Sequence, residues 1–186
     1  MCSHEVARSS SSGVAVRKVG LPAAETLVSS SFSAPQWDVV VGYGVSSVLD
    51  YFVSGDNVPH MDLRSARTTP ITFRQQAFPN GTVSEWTSAM MVSTAAYPNV
   101  AAIPAPIVPI HLEPVGARLV AVVQFSTDRF PSEANFSAAC AGITADTLPA
   151  GYAIDATSAW SPTYALYSAE ESPVYENECW LAVLSN

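Results

Sequence analysis

Residues 14–57 read VAVRKVGLPAAETLVSSSFSAPQWDVVVGYGVSSVLDYFVSGDN, and the reading of this stretch decides the fold. Val14 to Val19 alternates with the period of a half-buried strand. Pro22 breaks that run, and Glu25 to Phe32 reads as a second strand. A helix is then predicted, with Ser33 as its cap, Pro35 in its first turn and Gly55 as its stop. Trp37, Val41, Gly44, Val45, Val48 and Phe52 fall on one face at helical spacing. Val39, Val40, Tyr43, Ser46, Ser47 and Tyr51 lie outside that face and are uncharged, leaving Asp38 and Asp50 as the helix's charges. A helix this apolar all round is normally covered on both sides, by protein or by a ligand.

Working outward, residues 1–13 read as a flexible tail, because the Ser9–Ser12 run cannot build a core. Residues 14–186 read as a single domain, long enough for a substantial core. Pro70 to Arg74 is a predicted strand. Asn80-Gly81 signals a hairpin into a strand over 82–94. Residues 95–112 are Pro-rich and read as an extended loop. Arg118 to Ser126 is a buried strand. A second helix is predicted from Ser132 to Leu148, with Phe136, Ala139, Cys140 and Ile143 at i, i+3, i+4 and i+7. Tyr164–Tyr167 and Cys179–Leu184 close the chain as strands. The order is a doubled β-α-β-β unit, so the expected class is α+β: a curved antiparallel sheet or barrel with two flanking helices.

Composition narrows the function. The formal net charge is −8, and charged residues make up 13% of the chain. All eight basic residues lie at or before Arg129, and the last 57 residues hold seven acids and no Lys or Arg. Such a surface repels nucleic acid and anionic lipid headgroups, so no nucleic-acid partner is expected. No stretch is long and apolar enough to span a membrane. The polar first residues carry no secretory pattern, which points to the cytoplasm, or to a plastid if a transit peptide has been removed.

Cys2, Cys140 and Cys179 form an odd, sparse set that reads as two small buried hydrophobes and one free thiol rather than a disulfide framework. His4, His60 and His111 show no zinc spacing. Glu170-Glu171 and the Glu176…Glu178 pair read as solvated acidic surface. Trp180 reads as packing, and Tyr175 with Pro173 as a groove rim. No Gly-x-Ser-x-Gly turn and no phosphate-cradling glycine loop occur, so no catalytic residue is assigned.

Three blocks then carry a family likeness. The first is Val14-Ala-Val-Arg-Lys-Val followed by Glu25-Thr-Leu-Val-Ser. The second is Leu49 to Asn57 (LDYFVSGDN) with Thr68-Thr-Pro-Ile-Thr. The third is Ala165-Leu-Tyr, then Ser172-Pro, then Asn177-Glu-Cys-Trp-Leu. In order and spacing, from about residue 14 to 184, the chain resembles the SOUL haem-binding family.

That resemblance implies a non-catalytic carrier holding haem or a related tetrapyrrole in a groove beside the first helix. The implied lining is Val39, Tyr43, Ser46, Ser47, Asp50 and Tyr51, with Ser172, Pro173, Val174 and Tyr175 from a late loop. His60 is the best axial-ligand candidate. The family places basic residues where propionates bind, but here the helix offers none, and the loop before Asn177, where the family can place a Lys, has Glu170 and Glu171. A haem carboxylate beside Asp50 or Glu171 would be repelled. A neutral or esterified porphyrin, or a chlorophyll-type pigment, therefore suits the groove better. The alternative is a scaffold or accessory subunit that docks on a protein partner through the same apolar helix face.

Overall fold

The computed structural model describes residues 3–19, 25–34, 36–58, 60–76, 84–107, 109–158, 162–167 and 174–186. In chain order the elements are β1 (Ser3–Arg8), β2 (Ala15–Val19), β3 (Glu25–Ala34), α1 (Trp37–Val53), β4 (Asn57–Val58), β5 (Arg67–Gln76), β6 (Ser84–Val92), β7 (Ala105–Pro106), β8 (Ile110–Val115), β9 (Arg118–Thr127), α2 (Glu133–Ala141), β10 (Tyr152–Ile154), β11 (Thr163–Tyr167) and β12 (Tyr175–Ser185). The fold is α+β. The chain forms two compact units: Pro22–Gly116, and Met1–Leu21 together with Ala117–Asn186. No helix among the described residues is long and apolar enough to cross a membrane.

In the continuous unit, the antiparallel order is β8-β3-β6-β5. β4 and β7 form a separate short pair. One face of the sheet is covered by α1, which buries Trp37, Val40, Val41, Gly44, Val48, Tyr51 and Phe52. Gly44 lets the helix come close: a Cβ there would meet Phe73 and Ser88 at 2.9 Å. The predicted start at Ser33 is corrected, because Ser33 pairs with Glu85 inside the sheet and the helix begins after Gln36. At the other end, Gly55 takes φ +79. The buried Asn57 side chain then ties the exit together, donating to the Tyr51 and Met61 carbonyls and accepting from the Met61 N–H.

The other face of this sheet carries a charged pair among buried apolar residues such as Leu27 and Ala89. Arg74 donates twice to Glu113, at 2.7 and 3.2 Å, and the Ser29 hydroxyl donates to the same carboxylate at 3.0 Å.

In the second unit the order is β1-β2-β9-β12-β11, with β10 also on β12. β1 and β8 each have a neighbour on one side only, so among the described residues the strand order does not close into a barrel. Residues 3–8, expected in a loose tail, pair with β2, and the Ser9–Ser12 run makes the turn between them. α2 starts at the Ser132 cap, whose side chain and backbone exchange hydrogen bonds with Asn135. It stops at Gly142 rather than reaching Leu148, because Thr147 turns back to bond the Gly142 carbonyl.

Ile143 and Leu148 are still buried, in a cluster with Val14, Val16, Ala121, Cys179 and Val183. Phe136 stacks on Tyr164 at 4.9 Å. Cys140 and Cys179, read from sequence as separate thiols, form a disulfide with their Cα atoms 5.3 Å apart. The sequence hides this because the partners are 39 residues apart, on a helix and a strand.

The doubled β-α-β-β order is present. β3-α1-β5-β6 and β9-α2-β11-β12 have the same spatial order, with the last strand in the middle. The strand that precedes each repeat pairs with the other one: β2, before β3, lies beside β9, and β8, before β9, lies beside β3.

Two outcomes follow. Removing the Cys140–Cys179 bond, by reduction or by Cys140→Ser, should cost about 2–4 kcal/mol. It is read from urea midpoints with and without dithiothreitol; equal midpoints would show that the bond adds no stability. The second concerns Glu113. Burial pushes its carboxyl up, but hydrogen bonding and charge from Arg74, with help from Ser29 and His111, outweigh this and hold it below its usual value. A depressed folded-state pKa gives stability that is present above the unfolded-chain value of about 4.3 and is lost as pH falls through the folded one. The urea midpoint should therefore drop on going from neutral to acid pH, and should drop less in Arg74→Met. Parallel pH curves would remove the pair from the account.

Candidate functional site

β12 is the central strand of its unit, so alternate residues point to opposite faces of the sheet. Val14, Val16, Ala121, Cys179 and Val183 join the core on the α2 side. The opposite face carries Val19, Val120, Val122, Ala165 and Trp180. Within it sits a carboxylate. Glu178 is only 3% exposed.

Its two oxygens are fully engaged. Oε1 accepts from Arg17 Nη1 at 2.7 Å and from Gln124 Nε2 at 2.7 Å. Oε2 accepts from Trp180 Nε1 at 2.7 Å and from the Tyr167 hydroxyl at 3.0 Å. The sheet assembles these partners by register. Glu178 lies opposite Gln124 on β9 and Ala165 on β11, while Arg17 comes from β2, the strand beyond β9. Burial, then the charge and hydrogen bond of Glu178, push the Tyr167 hydroxyl far up, so Tyr167 stays a neutral donor.

A carboxylate has about four acceptor positions, and all are used here. That satisfies the rule that a buried charge must be paired and hydrogen-bonded. The cluster opens on a cavity of about 310 Å³. Its walls include Arg17, Gln124, Phe125, Tyr167, Glu176 and Glu178. Two carboxylates thus face one guanidinium.

Glu178 was read from sequence as solvated surface, and that reading is corrected. The signal was there: Asn177 to Leu184 is an apolar strand, and a Glu inside it must find donors. Trp180, read as packing, packs and also donates to Glu178.

The residues expected along the first helix are only partly brought together. Val39 (48% exposed) and Tyr43 (50% exposed) lie on the outer face of α1 with Ser46, and Asp50 is half-buried. Ser46 and Ser47 donate to carbonyls of their own helix, at Gly42 and Gly44. Tyr51 turns into the core, where its hydroxyl donates to the Pro104 carbonyl and burial pushes its pKa up to about 12. His60 is exposed at φ +65, with Nδ1 2.9 Å from the Gly55 carbonyl oxygen. Val174 is exposed, and Tyr175 meets Phe130 edge-on at 5.8 Å. Ser172 and Pro173 lie outside the described residues. Among the described residues, no group of His, Cys, Asp and Glu is arranged to hold a metal ion.

No protein-family model matches the chain, and no curated protein matches it. Solved structures do. The C-terminal domain of EcmrR aligns with a TM-score of 0.58 and 12% identity, over 93% of this chain and 98% of that one. EcmrR in its DNA complex aligns with a TM-score of 0.54 and 12% identity, over 93% of this chain and 57% of that one. At this identity the likeness is one of fold. The resemblance to the SOUL family is therefore corrected. The blocks that suggested it mark local structure: Gly55 and Asn57 end a helix, and Asn177-Glu-Cys-Trp-Leu is a central strand with a buried carboxylate. The fold they serve is shared with the EcmrR C-terminal domain.

Proposed function

We propose that the chain is a small-molecule-binding domain whose ligand sits against the Glu178 cluster. The observation that carries this is a carboxylate 3% exposed, held by donors from β2, β9, β11 and β12, at the wall of a cavity. An aliphatic residue would pack this face at less cost, since a buried ion pair is often no more stable than its hydrophobic replacement. Expensive polar groups that converge on a cavity are the mark of a binding site.

The charge balance of the walls selects the ligand. Two carboxylates against one guanidinium favour a molecule that is apolar in body and carries a positive charge. Free-acid haem, with its carboxylates, is disfavoured for the same reason. Tyr167 supplies aromatic surface for a flat body. The role we read is binding, with Glu178 serving as a fixed counter-ion for the ligand's charge. The fold also occurs in EcmrR, a protein solved on DNA. For this chain, a net charge of −8 opposes DNA contact by its own surface.

The test is fluorescence titration with ethidium, a planar aromatic cation, with haemin as the anionic comparison. Ethidium should bind in the micromolar range, about −8 kcal/mol or weaker. Glu178→Gln should weaken it about tenfold or more. Haemin binding more tightly than ethidium, or a Glu178→Gln variant that binds as well as the parent, would overturn the reading.

A further inference from the structure

We infer that Arg17 is a resident cation in the ligand seat and sets its specificity: a ligand reaches Glu178 only by taking the place of the Arg17 guanidinium. This rests on the small-molecule reading of the Glu178 cluster and goes further, because it names the residue that the ligand displaces.

The argument is one of saturation. Arg17, Gln124, Tyr167 and Trp180 together fill the carboxylate, so any new donor must remove an old one. Trp180 is buried, and its ring is fixed in the sheet core with Val19, Val120 and Val122. Tyr167 is tied to the same core by its ring. Gln124 is exposed and can swing away, but its loss vacates an acceptor position without removing a charge. Arg17 differs on both counts. Its side chain is 16% exposed, reaches Glu178 from β2, and lines the cavity. It ends a long flexible stem, so it can leave toward solvent while its strand stays paired.

The consequence is selection by charge. If a neutral donor displaced Arg17, it would leave a buried carboxylate without a counter-ion, which is strongly unfavourable. A cation that displaces Arg17 restores the balance. A ligand anion would instead be drawn to Arg17 and repelled by Glu176 and Glu178. Because Arg17 occupies the seat in the free protein, the measured affinity for a cation falls below the intrinsic one by the fraction of time the seat is open.

The test uses the full chain and four proteins: wild type, Arg17→Met, Glu178→Gln and the double variant. Each is titrated with ethidium and with neutral phenanthridine. Arg17→Met should bind ethidium about tenfold or more tightly than wild type. Phenanthridine should gain nothing, and the double variant should lose the gain. Arg17→Met leaves Glu178 unpaired and so is melted with and without methylguanidinium. Methylguanidinium should raise its melting temperature, leave the double variant unmoved, and compete with ethidium.

If Arg17→Met binds ethidium no better than wild type while Glu178→Gln still weakens binding, Arg17 is a structural partner only. The displacement idea then fails and the ligand seat stands. If Glu178→Gln changes nothing in either background, the seat itself is wrong and the role of Arg17 falls with it. If Arg17→Met does not fold, failure of methylguanidinium to restore the fold also overturns the proposal.

Discussion

The buried carboxylate of Glu178 constrains its whole unit. An isolated ionised group cannot be taken out of water, so four donors must arrive within hydrogen-bond distance. They come from four strands, and strand registers that differed by one residue would turn them to the opposite face. The cluster therefore fixes register as firmly as the apolar core on the other side of the sheet does. It also brings Trp180 and Tyr167 into the sheet as polar partners, although their rings pack as hydrophobes.

The continuous unit follows the same plan with different residues. A helix covers one face of an antiparallel sheet, and a part-buried Arg–Glu pair sits on the other. In each unit the helix face is conventional packing. The charge pairs differ in what surrounds them. Glu113 is held by one guanidinium and one hydroxyl and is 27% exposed, whereas Glu178 is 3% exposed and has two donors on each oxygen. The first has acceptor positions left for water, but the second has its positions filled by protein donors at the wall of a cavity. That is why the second, and not the first, is the candidate seat for a ligand.

Much of the fold was legible in the sequence. The alternation of Val14–Val19, the helical face through Trp37, Gly44, Val48 and Phe52, and the capping serine at Ser132 are local signals, and local structure followed them. What was missed is non-local. Arg17 and Glu178 are 161 residues apart, and nothing near either one names the other. The Cys140–Cys179 bond was hidden in the same way. Ser3–Arg8 looked like a tail because a short outer strand needs only one neighbour, and the Ser9–Ser12 run after it makes a turn rather than disorder. For the site, the helix stripe was legible as unusually uncharged. That signal described a surface, while the chemistry lay on a strand whose Glu seemed one of several acids.

The exchange of the strands that precede the repeats bears on the order in which the protein can be built. Residues 22–116 form a continuous unit, so on a ribosome that unit can fold as soon as it emerges. The other unit takes β2 from before this stretch and β9, β11 and β12 from after it. β2 can pair with β1 at once, but the core that covers Val14 and Val16 is not complete until β9 and the strands after it are made. Arg17 is synthesised early and Glu178 late, so the cavity is among the last parts of the molecule to exist. A nascent chain can then possess one finished sheet and no binding capacity, and the appearance of binding would report completion of the fold.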